Sequence, residues 1–371
     1  MRRTLSSCAA VVAALVLAAT PAAAHGSHGS HDPRPPSSTT IASGLVTPLS
    51  LAVGPRGTTF VSQNFAGLLT AVDRRGEASV LYASDDGAEV GGLSYTHRTV
   101  TFAETGATQT VKQLHLDKRG NPRGEPTVLA DVGAYEAAKN PDGSVTYGFR
   151  TVPESCLADV PPEIPAQYTG IVESHPYATT TTHRGTTYVA DAAANAILSV
   201  DHRGKVRTAA VLPAQPVRIT AAAAEAQGLP SCVVGHKYWF EPVPTDVEVG
   251  PFGLLYVSLL PGGPEDDSLG ARGSVVVVSP WNGRAHTVAD DLLSPTGIAV
   301  DKKGTVYVAQ LFGGEISKVG RHGATEVVSV PLPGDVELHG RDLLATVNVL
   351  PPDETSPPDG QLVRYSLSGR R

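Results

Sequence analysis

Long apolar runs are missing from this 371-residue chain except at its start. Residues Ala9 to Ala19 are apolar, with Arg2 and Arg3 ahead of them and Pro21 and Ala22-Ala23-Ala24 behind. That layout predicts a secretory signal peptide over residues 1–24, cleaved before His25. Cys8 lies before the apolar run, whereas a lipid-anchored cysteine would follow it. No later stretch approaches the roughly 20 apolar residues of a membrane helix. The mature chain is therefore expected to be secreted, with no membrane span.

An excess of positive charge is missing too. The formal net charge is -7, and removing Arg2 and Arg3 takes it to -9. Nucleic acid needs clustered Lys and Arg and is excluded as a partner. Cysteine is scarce: beyond the signal only Cys156 and Cys232 remain. In an exported chain two cysteines read first as one disulfide, with two free thiols as the alternative. Several catalytic signatures are also absent: G-x-S-x-G, H-E-x-x-H, a phosphate-binding loop, and G-x-G-x-x-G behind a strand. The chemistry left is acid–base work or metal-assisted hydrolysis by carboxylates and a histidine.

Glycine and proline are plentiful, at 38 and 30 residues. With few long helical patterns, they point to a turn-rich all-β protein. Units of blade size recur from Thr47, Val90, His175, Val243, Ser294 and Pro333. Their grammar is clearest in "HPYATTTTHRGTTYVADAAANAILSVDHRGKVRTAAVLP". A short strand leads to a glycine turn, and a β-branched/aromatic strand follows. After a polar patch come a third strand, an Asp-basic-Gly turn and a fourth strand. Four strands in roughly 40 residues, repeated about six times, predict a six-bladed β-propeller of four-stranded blades. "TTIASGL" occupies the place that "HTVADDLL" fills before Pro295, so the N-terminal strand should complete the last blade. The propeller domain then covers 38–371, behind a disordered His/Pro-rich leader at 25–37.

The turns between strands one and two and between three and four share one face, and all are tight. The other face takes the long insertions Gly133–Val172, Ala214–Glu241, Leu259–Gly273 and Leu350–Gly360, which makes it the functional candidate. The two longest each carry a cysteine, so Cys156 and Cys232 should be neighbours. Candidate ligand-binding residues there are Asn64, Glu104, Asp191 and Gln310 at second-strand ends. Glu173, His175, Glu241 and Asp246 stand at first-strand starts. Glu265, Asp266, Asp267, Asp353 and Glu354 add carboxylates at the rim. Such a mouth could take a hard cation such as Ca²⁺. The competing reading is that Asp191 and Asn195 only satisfy backbone N–H groups. His183 and His202 fall in tight turns and read as solvated. His25, His28 and His31 of the leader form a separate candidate metal-binding group.

"GTTYVADAAANAILSVDHRGK" resembles an NHL-type repeat. "ESHPYA", "EPVPTDVEVGPFGLLYVSLLPGGPEDDSLGARG" and "SPTGIAVDKKGTVYVAQ" make the chain similar to the ScyD/ScyE family of exported six-bladed propellers. More distant propeller relatives are calcium-dependent lactonases and phosphotriesterases, with a metal held by a Glu, Asn and Asp set. That likeness points to Glu104, Asn64, Asp191 and Asp246. The expected role is a binding or scaffold module for a small molecule or extracellular protein. A Ca²⁺-dependent lactonase-type hydrolase is the alternative.

Overall fold

A computed structural model of the chain describes residues 35–264, 269–320, 323–353 and 356–367. The signal segment, His25, His28, His31, Glu265, Asp266, Asp267 and Glu354 lie outside the described residues. Among the described residues no helix is long and apolar enough to cross a membrane.

The chain opens with strand β1 (Ser37–Leu45) and then runs through sheet after sheet. The first comprises β2 (Ser50–Val53), β3 (Thr59–Gln63), β4 (Leu68–Val72) and β5 (Ala78–Ala83). The next comprises β6 (Glu89–Thr96), β7 (Thr99–Thr105), β8 (Gln109–His115) and β9 (Thr127–Asp131). An insertion follows, with helix α1 (Val132–Lys139), β10 (Thr146–Phe149), helix α2 (Glu154–Leu157) and β11 (Gln167–Thr169). A third sheet has β12 (Pro176–Thr181), β13 (Thr187–Asp191), β14 (Ala196–Val200) and β15 (Val206–Val211). The second insertion holds β16 (Gln215–Arg218), helix α3 (Ala221–Ala226) and β17 (Lys237–Phe240).

Two more sheets succeed it: β18 (Pro244–Val249), β19 (Leu255–Leu259), β20 (Gly273–Val278) and β21 (Ala285–Leu292), then β22 (Pro295–Val300), β23 (Val306–Gln310), β24 (Glu315–Gly320) and β25 (Gly323–Ser329). The last strands are β26 (Val336–His339), β27 (Asp342–Val347) and β28 (Gly360–Ser366). β1 pairs antiparallel with β28, so the N-terminal strand completes the final sheet as the repeats predict. First strands pack on one another in a circuit: β2 on β6, β6 on β12, β12 on β18, β18 on β22, β22 on β26 and β26 on β2. The fold is all-β and propeller-like, as the sequence implies.

Among the described residues there are seven four-stranded antiparallel sheets, one more than the six blades the repeats predict. The additional one, ordered β11-β10-β17-β16, is assembled from the two insertions, which the sequence reading took for loops. Its strands are three or four residues long, too short for a two-residue period to register. Their partners lie far apart in sequence: Phe149 pairs with Tyr238.

The repeat grammar has a physical basis. Second strands alternate β-branched and aromatic residues, and Val61, Val189, Val257 and Val308 are fully buried between neighbouring sheets. In four hairpin turns, three between third and fourth strands and one between β22 and β23, one aspartate oxygen accepts two backbone N–H groups. Asp73 takes Arg75 and Glu77, Asp117 takes Arg119 and Asn121, Asp201 takes Arg203 and Lys205, and Asp301 takes Lys303 and Thr305. Gly204 closes one such turn at φ 80, where a Cβ would stand 2.2 Å from the Leu129 carbonyl oxygen of the adjacent sheet.

Side chains on the first strands tie sheet to sheet. Asp246 accepts from the Ile298 amide at 2.7 Å, and Asp335 accepts from Leu51 at 2.8 Å. Ser50 accepts from Leu93, while Thr296 donates to the Gly334 carbonyl. Each bond satisfies a backbone group on or beside the neighbouring first strand.

Candidate functional site

The accessory sheet brings the insertions together. Cys156 and Cys232 form the disulfide that the sequence favours, with Cα atoms 6.1 Å apart. Beneath it lies a core of Phe149, Val152, Val160, Ile219, Val233 and Tyr238. A cavity of about 330 Å³ opens beside this core, within the size range of small-molecule sites. Three chain segments wall it. Ile164 and Tyr168 come from the first insertion, Ile219, Tyr238, Phe240 and Glu241 from the second, and Gly262 and Leu269 from the loop after β19. Arg272 pins that loop: it donates to the Gly262 carbonyl at 2.9 Å and lies 4.6 Å over the Phe240 ring.

Glu241 is the acidic group in this mostly apolar wall that carries a directed hydrogen bond. The Tyr168 hydroxyl donates to its Oε1 at 3.0 Å. Burial pushes the Glu241 carboxyl above its ordinary range, opposed by the Tyr168 and Asn195 hydrogen bonds and reinforced by Asp142 and Glu173. Burial and the same carboxylate push the Tyr168 hydroxyl up, so it remains a donor.

Behind the cavity is a buried polar seam. Asp142 accepts from Tyr147 at 2.8 Å and from Asn195 at 2.9 Å. Glu136, on α1, is 1% exposed, and neither of its oxygens has a hydrogen-bond partner among the described residues. Burial, then the charges of Asp191 and Asp142, push it up to about 7; the nearby Glu173 amide offsets this only partly. The seam continues to the ends of the first strands, where His175 Nε2 lies 3.1 Å from Glu89 Oε2. Burial opposes the imidazolium. The Glu89 hydrogen bond and the charges of Glu89, Asp191 and Glu173 outweigh it, and the pKa rises. Asn64 donates to the same Glu89 oxygen at 3.4 Å.

The residues singled out from sequence thus separate. Glu241 lines the cavity; His175 and Asn64 join around Glu89; Glu173 is exposed between the two groups. Asp191 is fully buried and accepts from Ser174 Oγ and from the His175 and Ala194 amides, which is the backbone-satisfying role. Gln310 works alike, accepting from the Leu293 amide at 2.6 Å and donating to Glu315. Glu104 is held by Lys112 and by the Tyr82 hydroxyl, each at 2.6 Å. Asp246 is committed to the tie between sheets. Burial pushes it up to about 7. Glu104, Asp191 and Asp246 are thus each held by partners of their own. Among the described residues no group of three or more His, Cys, Asp or Glu side chains could hold a metal ion. Asn195 bridges Asp142 and the Val243 amide, and His183 and His202 are exposed in their turns.

Sequence reasoning missed Tyr168, Tyr238 and Phe240. The run "KYWFE" was the available signal, since three consecutive aromatics leading to an acid suit a strand ending in a pocket. It also missed Glu89, Glu136 and Asp142, whose pairing depends on how the insertions fold back.

No family model matches the chain, and no curated protein matches it. Solved structures do. A putative oxidoreductase (glucose dehydrogenase) from Thermus thermophilus is similar at TM-score 0.53 and 16% identity, over 89% of this chain and 99% of that one. A luciferin-regenerating enzyme gives 0.53 and 10%, over 90% and 96%. A gluconolactonase from Xanthomonas campestris gives 0.52 and 12%, over 90% and 94%. At these identities the likeness is one of fold: all three support a propeller.

Proposed function

We propose that this chain is a secreted six-bladed propeller, akin to the NHL-like ScyD/ScyE proteins, that binds a small molecule in the cavity of its accessory sheet. Six sheets follow one another along the chain and their first strands form a circuit, which supports the blade number. The seventh sheet is then an addition on one rim. The observation that carries the function is the cavity itself: about 330 Å³, walled by Tyr168, Tyr238 and Phe240, with the Glu241 carboxyl inside. Such a wall suits a compact apolar ligand carrying one cationic or hydrogen-donating group, because a carboxylate in apolar surroundings gains most from a charged donor.

A panel of phenylalkylamines and the matching phenylalkyl carboxylates, screened by thermal shift, tests this reading. Amines should raise the melting temperature and carboxylates should not. Selective binding of the carboxylates would sink it.

The His175–Glu89 pair favours a second reading, a lactonase-type hydrolase. Their side chains are 39% and 31% exposed, open enough for a substrate. A hydrogen-bonded His/Glu pair is a plausible base for water attack. Lactone and organophosphate turnover, measured with and without a chelator, tests it and the part of Ca²⁺ together. Turnover lost in His175→Ala would favour the hydrolase over the binding module.

A further inference from the structure

Ligand binding in the accessory cavity leaves the opposite face without a role. That face consists of the hairpin turns, and it is basic in a chain whose net charge is -7. The turns between first and second strands carry exposed Arg56, Arg98, Arg184, Lys303 and Arg341. The turns between third and fourth strands carry exposed Arg75, Arg119 and Arg203. They form one surface: Arg56 donates to the Lys118 carbonyl of the next sheet at 2.9 Å, and the His97 and His183 rings are 5.7 Å apart.

The aspartates of these turns offset the charge only in part, being four against the eight cations named. Asp73, Asp117, Asp201 and Asp301 face their own backbone N–H groups, and Arg207–Asp201, at 3.9 Å, is the one salt bridge in these turns among the described residues. One sheet breaks the pattern. In the β18–β19 turn, Phe252 stands where the aligned turn has Arg56; it is 92% exposed and held at φ 61. In the β20–β21 turn, Trp281 is 71% exposed. The two turns touch, since a Cβ on Gly253 would lie 3.6 Å from the Trp281 ring. The Asp301–Gly304 turn packs beside them, with a Gly304 Cβ 3.7 Å from Pro251.

We propose that this face docks on an anionic lipid surface. Phe252 and Trp281 enter the boundary between headgroups and acyl chains, and the surrounding Lys and Arg turns lie on the headgroups. Interfacial aromatics beside basic residues are the recognised chemistry of such contact. A soluble polyanion would match the charge but leave both protruding rings in water. Overall charge cannot provide the attraction, so the segregation onto one face must.

The test is co-sedimentation of the protein with phosphatidylcholine vesicles, with and without phosphatidylglycerol, at low and high salt. Phosphatidylglycerol should confer binding that weakens on the order of tenfold in high salt. Lys303→Glu together with Lys302→Glu, its exposed neighbour in the same turn, should weaken it by about tenfold or more. Phe252→Gly with Trp281→Ala should weaken it severalfold, and wild-type fluorescence should shift to the blue on binding through Trp281. Melting temperatures confirm that each variant folds. Absence of binding, or equal binding to neutral vesicles, would overturn the proposal. So would binding to dextran sulfate that the aromatic variant leaves intact, which would assign the face to a soluble polyanion.

Discussion

The two ends of this molecule are built from the same repeat yet are opposites. At one end the connections are short hairpin turns, four of them stabilised by their own aspartate, and their basic side chains are exposed. At the other the connections lengthen until two of them, joined by Cys156–Cys232, make a sheet and a cavity of their own. Glu136, Asp142 and Asp191 are buried at that end. A tight turn has no room for an interior, so its chemistry is that of a surface; a long insertion can enclose volume and shift the pKa of what it encloses. One end suits an extended partner, the other a small molecule.

The contrast is broken most severely by removing the disulfide. Its half-cystines are 76 residues apart, and Cys156→Ser with Cys232→Ser should cost on the order of 3–5 kcal/mol. The loss should fall on one end only. Hydrogen-exchange protection should collapse at Thr146–Phe149 and Lys237–Phe240 while Thr59–Gln63 stays protected.

Second in size is Glu136. Its folded pKa of about 7 lies above the ordinary 4.5, so the folded protein holds the extra proton. The stability it contributes is full below about pH 4.5 and is lost as pH rises through 7. Glu136→Gln removes the penalty. Its stability relative to wild type should climb between pH 5 and pH 8, by at most about 3 kcal/mol, in denaturant titrations at the two pH values.

The smallest effect sharpens the comparison from the basic side. Phe252→Gly relieves a left-handed backbone in an exposed turn and should change stability by no more than about 1 kcal/mol in either direction. Amine binding at the other end should be unchanged, as calorimetric titration of the variant would show.

What was legible in the sequence follows the same division. Four of the turns could be read because each is a local device: an aspartate, two basic residues and a glycine state their geometry within four positions. The closure by β1 was legible as well, because the N-terminal segment is a displaced copy of a repeat. The accessory sheet was not, since "TYGF" and "KYWF" are too brief to show a period and pair across the whole β12–β15 sheet. The polar ring was legible in composition but ambiguous in role. Asp191 and Gln310 look like ligands until the His175 and Leu293 amides are seen to face them. A carboxylate's partner, more than its type, decides whether it is available.

The central claim is that Glu241 makes the accessory cavity a site for a cationic apolar ligand. Isothermal titration of a phenylalkylamine into wild type, Glu241→Gln and the Phe252→Gly, Trp281→Ala pair tests it most directly. The account predicts saturable binding in wild type and in the aromatic pair, weakened at least about tenfold in Glu241→Gln and weakened as pH falls and the carboxyl takes up its proton. Binding that Glu241→Gln leaves intact, or no binding in any of the three, would contradict it.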